Sequence, residues 1–381
     1  MTTVLNNNEL YIVTGAAGNL GSAIVRHLVA NGKAVRSFVL RGEEAAKHLP
    51  EGANVYEGDV TDVSTLNTLF SDIPENTAVY CIHCAAMVSV SNLVADKIWH
   101  VNVDGTQNII DQCKAHGARL IFIGSTGAIP EEPKGTVIRE VEHFDPNAVI
   151  GIYDQTKAAS CQLVLDAIHA GEIDGCLILP SGISGPGDYT FGNVAGVIKE
   201  YVEGKMPAGV EGTFNCADNR DMAETIVRAC REGRSGESYI LGGDQIGMKE
   251  VFDILAEHTG LPTIKTILPA GMGKFLGSIV LIVLAILVFA NLALIGKYLP
   301  TLVGFLMILS SLAEIVRSFS LKSGGLKSWW LGIVPALIVL ILGFVFLLKP
   351  GFVGASFGIF TGITLVINGI AAVVNFFQLK K

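Results

Sequence analysis

Tyr153 and Lys157 lie four residues apart in Tyr153-Asp154-Gln155-Thr156-Lys157, at the head of an apolar-periodic run through Leu163, Val164 and Ile168. That period predicts a helix, on which side chains four apart share one face. A free phenol has a pKa of about 10, too high for a base at neutral pH. A lysine ammonium one turn away, together with the positive charge of an oxidised hydride carrier, favours the phenolate and lowers that value, so Tyr153 is expected to take a proton from an alcohol or return one to a carbonyl. Further back, the strand-like run from Arg119 to Gly124 ends in Ser125-Thr126-Gly127. A hydroxyl at such a strand end, from Thr126 or failing that Ser125, is placed to orient the reacting oxygen and stabilise its charge. Tyr153, Lys157, Thr126 and Ser125 are therefore the expected catalytic residues. Side chains that move protons still need a carrier for the hydride.

The run Tyr11-Ile12-Val13-Thr14-Gly15-Ala16-Ala17-Gly18-Asn19-Leu20-Gly21 supplies a site for one. An apolar strand ends in three glycines spaced three apart, and a helical pattern (Leu20, Ile24, Val25, Leu28, Val29) follows at once. Gly15 allows the turn, Gly18 lets the backbone approach a pyrophosphate, and Gly21 lets the helix pack close to the strand, with the helix N-terminus facing the phosphates. Gly15, Ala17, Gly18, Asn19, Leu20 and Gly21 are thus expected to bind a dinucleotide. The second strand, Ala34 to Leu40, has no carboxylate at its end until Glu43, where an NAD-selective site usually has one for the ribose hydroxyls. Arg41 could accept a 2′-phosphate or simply be solvated, which tilts the cofactor from NAD toward NADP. The third strand ends in Asp59-Val60. The fourth, Val79 to Ala86, stops at Ala85 and Ala86, small enough for a cofactor to lie across. Asn102, in a helix spanning Trp99 to His116, either faces that strand end or serves as a structural tie.

Taken in order, the T-G-x-x-G-x-x-G turn, Asp59-Val60, Val101-Asn102-Val103-Asp104-Gly105-Thr106, the hydroxyl strand end and the Y-x-x-x-K resemble the extended branch of the short-chain dehydrogenase/reductase family. Within it the likeness is to NAD-dependent epimerases/dehydratases, hydroxysteroid dehydrogenases and dihydroflavonol reductases, over residues 9 to 268. The resemblance implies that Asp59 and Val60 lie against the adenine and that Lys157 holds the nicotinamide ribose. It also implies that the loop from Pro180 to Asp188, through Gly182 and Ile183, closes over the nicotinamide. Leu179 and Ser184 stand where that loop usually carries an arginine and an aromatic. Members often dimerise through helices like the one bearing Tyr153, so a homodimer is an allowed partner.

Composition separates two objects. Of the 381 residues, hydrophobic types make up 50%, and the mean hydropathy is +0.50. Residues 1–272 carry 19 basic and 34 acidic side chains, whereas 273–381 carry 8 and 1. The acidic part argues against nucleic acid as a partner. All seven cysteines lie in it, an odd number in apolar runs that suits buried thiols in a reducing compartment. Cys81 and Cys84 have a metal-like spacing with no second ligand pair, so no metal site is expected. Met1 to Leu10 is polar, and no cleaved leader is expected.

Phe275 to Gly296 gives 22 residues without a charge, enough to span about 30 Å of hydrocarbon as a helix. Further spans are expected at 299–316, 329–348 and 352–377. The two hairpins resemble each other and, together, the HdeD-like acid-resistance membrane protein family. Lys274, Arg317, Lys322, Lys327, Lys380 and Lys381 against Lys297 and Lys349 place the first part in the cytoplasm. Glu314, three residues before Arg317, reads as an interfacial pair.

The expected architecture is an α/β Rossmann domain, a doubly wound parallel sheet with a small substrate lobe at about 180–268, occupying 1–272. An all-α four-span transmembrane domain occupies 273–381. The expected function is that of a membrane-anchored NAD(P)-dependent oxidoreductase acting on a secondary alcohol or ketone of a lipophilic substrate, sterol-, isoprenoid- or flavonol-like, with the bilayer as partner. Two alternatives stay open: a sugar-nucleotide epimerase or dehydratase, and a non-catalytic NADP(H) sensor.

Overall fold

Tyr11-Ile12-Val13, Cys81-Ile82, Leu120-Ile121-Phe122 and Leu177-Ile178-Leu179 are unbroken apolar runs, the pattern of parallel strands covered on both faces. The computed structural model describes residues 9–88, 95–133, 135–269, 301–312, 315 and 330–348. In chain order its strands are β1 (Glu9–Thr14), β2 (Ala34–Val39), β3 (Val55–Glu57), β4 (Ala78–His83), β5 (Arg119–Ile123), β6 (Gly175–Pro180), β7 (Gly182–Ser184), β8 (Gly209–Val210), β9 (Thr213–Asp218), β10 (Ser238–Leu241), β11 (Asp244–Gly247) and β12 (Ile267–Leu268). The helices of the same region are α1 (Asn19–Ala30), α2 (Val63–Leu69), α3 (Ala95–Trp99), α4 (Gly105–His116), α5 (Ile152–His169), α6 (Asn193–Val202), α7 (Asn219–Glu232) and α8 (Met248–Thr259). Seven strands form one parallel sheet in the order β10-β6-β5-β4-β1-β2-β3.

Alternation along each central strand builds two cores. Leu10, Ile12, Cys81, Leu120, Phe122, Leu177 and Leu179 face one layer, with α4 and α5 over it. Tyr11, Val13, Ile82, Ile121, Ile123, Cys176 and Ile178 face the other, where α1 and α7 lie side by side. The order reverses between β1 and β4, so the crevice opens at the C-terminal ends of those strands, where an open α/β sheet binds its ligand. The small lobe has two sheets that sequence pattern did not reveal, β11-β9-β7 and β12-β8. Their strands have two to six residues, too short for a period to register.

Two further differences from the sequence reading have local causes. The expected helix from Trp99 to His116 is present but begins earlier, at Ala95, and a π-helical turn, His100–Asp104, joins α3 to α4 within it. The second strand stops at Val39 because Leu40 to Glu43 form a turn closed by Glu43 N donating to the Leu40 carbonyl at 3.1 Å, with Gly42 at φ +72°.

Contacts divide the chain into two compact units, Met1–Ala270 and Gly271–Lys381. In the second, residues 301–312 are helical, and Trp330–Leu348 is a helix of 19 residues without a charge. The side chains at 330–332, 334 and 335 lie outside the described residues. Among the described residues no helix is long and apolar enough to cross a membrane. The two helices meet at glycines: a Cβ on Gly304 would stand 2.7 Å from the Gly343 carbonyl oxygen. The expected spans at 275–296 and 352–377, with Glu314 and Arg317, lie outside the described residues, and that at 299–316 lies partly outside.

Candidate active site

The turn after β1 forms the floor of the crevice. Gly15 has φ +63°, and a Cβ there would lie 2.8 Å from the backbone of Ala85 at the end of β4. Gly18 N donates to the Gly15 carbonyl at 3.0 Å, and a Cβ on Gly21 would collide with that same oxygen. Strand, turn and helix therefore touch backbone to backbone. Gly18 is the N-cap of α1 and gives it no side-chain cap, leaving first-turn N–H groups free to meet an anion.

Above this turn lies a cleft of about 800 Å³. It is lined by Gly15, Ala17, Gly18, Asn19, Leu20 and Gly21 from the turn, Asp59 and Val60 from beyond β3, and Ala85 and Ala86 from beyond β4. Ser125, Tyr153, Lys157, Pro180 and Ile183 line it too. Asp59 is held by Thr61, whose N–H and hydroxyl both donate to its Oδ1 at 2.9 and 2.8 Å. A glycine floor, uncapped helix dipole and small strand ends fit a dinucleotide.

Four expected residues are not in the lining. Thr126 turns its hydroxyl to the Pro180 carbonyl at 3.3 Å, leaving Ser125 as the hydroxyl at the cleft. Gly182 lies in β7, where a Cβ would press on the Asn215 carbonyl. Asn102 is buried and ties three elements: Met87 N donates to its Oδ1 at 2.7 Å, while its Nδ2 donates to the Met87 carbonyl and to Thr156 Oγ1. It sets the height of Met87, a lining residue, against α5. Arg41 is exposed at the corner of the turn that closes on Glu43, and Glu43 lines the cleft. Glu43, the first carboxylate after β2, thus reaches the cleft two residues beyond Arg41. Met87, Val88, Thr190 and Gly192, from loops, and Lys97, from α3, also line the cleft.

Burial dominates the protonation of the site. Burial pushes Tyr153 up to about 12, Asp154 adds to this, and a hydrogen bond with Ser125 opposes it. Lys157 is not among the groups that shift this phenol, although its charge acts on His83, Cys84 and Cys161. Nζ donates to the Ile123 carbonyl at 2.7 Å and lies 5.3 Å from the centre of the Phe122 ring. Burial lowers the Lys157 pKa. Tyr153 therefore stands as a neutral phenol beside Ser125, armed to give a proton.

Behind the floor runs a chain of buried hydrogen bonds. Thr106 donates its hydroxyl to the Asn102 carbonyl, so its oxygen accepts from His83 Nε2–H at 3.3 Å. His83 Nδ1 then accepts from Thr14 at 2.6 Å, and Thr14 Oγ1 accepts from Ala85 N at 3.2 Å. One tautomer satisfies every member. Burial, and next the charge of Lys157, lower the His83 pKa to about 3. Cys81 belongs to the core and Cys84 lines the cleft; among the described residues no group of side chains could hold a metal ion.

Residues 11–242 match the family model described as the NAD dependent epimerase/dehydratase family. The chain belongs to that family. Residues 276–348 and 334–381 match a short repeat of unknown function. Sterol demethylase protein B of Methylococcus capsulatus is 29% identical over 68% of this chain and 77% of its own length. Short-chain dehydrogenase/reductase family 42E member 1 of Homo sapiens is 28% identical over 69% and 71%. A Thermus thermophilus UDP-glucose 4-epimerase solved with NAD superposes with a TM-score of 0.58 at 23% identity, covering 68% of this chain and 86% of that one. This member of the epimerase/dehydratase family is an NAD-dependent oxidoreductase of the extended short-chain dehydrogenase type, with the parallel α/β fold of its relatives.

Proposed function

We propose that this enzyme interconverts a secondary alcohol and a ketone on a lipophilic, sterol- or isoprenoid-like substrate, using NAD, while anchored to a bilayer by its second unit. The observation that carries the reading is Tyr153 and Ser125 lining one cleft, to which a loop adds Met87 and Val88 and the π-helical turn adds Val101. When bound, the dinucleotide supplies the hydride donor or acceptor. Tyr153 protonates the substrate oxygen during reduction and is left as the phenolate, the form that takes the proton back in the oxidation direction. Ser125 holds that oxygen, and Lys157, fixed by the Ile123 carbonyl, presents a cation at the ribose end of α5. Asp59 and Glu43 stand for the adenosine half. A carboxylate there accepts from ribose hydroxyls and repels a 2′-phosphate, which favours NAD and reverses the tilt toward NADP suggested by Arg41.

The relative named for sterol demethylation supports the substrate class. The anchor is supported by the uncharged run at 275–296 and by the repeat match. It is supported too by apolar side chains that face outward, Leu302, Phe305, Leu306, Ile338, Ile341 and Leu348 among them, around a glycine-to-glycine helix contact. In this reading the second unit is a repeated-hairpin module of the HdeD-like kind, with the catalytic unit on the cytoplasmic side.

Full-length protein in nanodiscs, given NADH and a panel of sterol, isoprenoid and aryl ketones, tests the activity. Tyr153→Phe should retain NADH binding and lose on the order of 10²- to 10⁴-fold in turnover. Unchanged turnover would remove the mechanism, and sugar-nucleotide conversion with no net NADH consumption would install epimerisation instead. Extraction of membranes with alkaline carbonate should leave the protein in the pellet; release into the supernatant would dispose of the anchor.

A further inference from the structure

The segment 183–192 leaves β7 and runs along the first turn of α1 before reaching the far side of the cleft. Asn19 Nδ2 donates to the Ile183 carbonyl at 3.3 Å, and Asn219 Nδ2 bridges to Asn19 Oδ1 at 2.8 Å and the Pro186 carbonyl at 3.1 Å. Ser22 Oγ and Arg26 donate to the Gly187 carbonyl at 3.4 and 3.2 Å. At the tip, Asp188 accepts from Thr190 N, Thr190 Oγ1 and Gly192 N, so residues 188–192 form one braced unit. Beyond that tip Tyr189 stacks on His48, ring centres 3.7 Å apart and planes 13° from parallel. His48 closes the short 3-10 helix Glu44–His48 that follows Glu43. Leu40 and Glu43 on one bank and Thr190 and Gly192 on the other line the same cleft.

The stack therefore joins the two banks across the part of the cleft between the glycine turn and the adenosine end. Both rings are largely exposed, with Tyr189 at 47%, so the pair adds little to either core. Backbone freedom sits just before the braced tip, at Gly187 (φ +83°), whereas Phe191 (φ +50°) is held in the left-handed region within it. Such a unit swings as a body once its few contacts break.

We propose that loop 183–192, latched by the Tyr189–His48 stack, is a clasp that retains the bound dinucleotide, with both rings acting as positioning residues for it. The proposal rests on the dinucleotide reading of the cleft and adds to it a control on cofactor exchange. Opening the clasp separates one stacked aromatic pair, so losing either ring speeds cofactor escape by about threefold to tenfold.

The test is dissociation of NADH from the full-length protein in nanodiscs, followed by its fluorescence after mixing with excess NAD. Tyr189→Ala and His48→Ala should each raise the off-rate by that factor, and the double variant should be no faster than either single. Tyr189→Phe, which keeps the ring, should stay within twofold of the parent, and thermal midpoints should stay level across the set. An unchanged off-rate in Tyr189→Ala, or effects that multiply in the double variant, overturns the clasp. Absence of NADH binding in the parent overturns the dinucleotide reading beneath it, a different result from a parent that binds and a variant that matches it.

Discussion

Acid should unfold the catalytic unit through one residue beneath the site, His83. Its two ring nitrogens are both engaged, one accepting from Thr14 and one donating to Thr106, and neither can carry a second proton without losing a partner. The unfolded chain protonates this imidazole at about 6.5, whereas in the fold its pKa is lowered to about 3. A depressed folded pKa contributes stability that is present above pH 6.5 and drains as pH falls toward 3. Between pH 7 and 4.5 the unfolded state takes up most of a proton here and the folded state almost none, which costs about 2–3 kcal/mol. That is a large share of a typical stability of about 5–15 kcal/mol. Because all seven cysteines lie between Cys81 and Cys230, thiol labelling during urea unfolding reports this unit alone, even with the rest of the chain in detergent. His83→Gln keeps a neutral polar side chain, and its stability should fall less over that pH range, by about the same 2–3 kcal/mol. Parallel curves for the two proteins would refute the reasoning.

Three other substitutions probe the floor and walls of the cleft. Gly21→Ala drives a methyl into the Gly15 carbonyl, which cannot retreat from Ala85; it should cost about 1–3 kcal/mol and weaken NADH binding at least about tenfold, by thermal shift and fluorescence titration. Asn102→Ala strands Met87 N and should cost about 1–3 kcal/mol in chemical denaturation, with a raised KM for NADH as Met87 drifts. Glu43→Gln should shift the ratio of kcat/KM for NADPH over NADH upward by about tenfold, while Arg41→Ala leaves that ratio unchanged; the opposite pattern would return the choice to Arg41.

Local pattern made the sheet readable. Residues such as Ile12, Ile121 and Ile178 are apolar because both faces of their strands are covered, and the glycines at 15, 18 and 21 sit where backbones must touch. Spacing likewise placed Tyr153, Lys157 and Ser125 around one cleft. What spacing could not carry was direction. Thr126 and Ser125 are neighbours on one loop, and only the Pro180 carbonyl decides which hydroxyl turns away. Arg41 lies nearer the strand in sequence than Glu43, yet the Leu40–Glu43 turn reverses their order at the cleft. The Tyr153–Lys157 spacing was legible, whereas the burial of both groups and the Ile123 carbonyl, 34 residues away in sequence, that holds the ammonium were not. Tyr189 and His48 are 141 positions apart, and nothing in either neighbourhood announces their meeting.

The last strand of the large sheet, β10, comes from Ser238–Leu241, after the small lobe has been threaded between it and β6. A nascent chain that has emerged only as far as residue 237 leaves the edge of β6 bare, a template for pairing with another molecule. Cutting the gene after Pro180 would accordingly yield a sticky fragment and no free-standing nucleotide-binding half. Translation must pass the lobe before the sheet can be sealed.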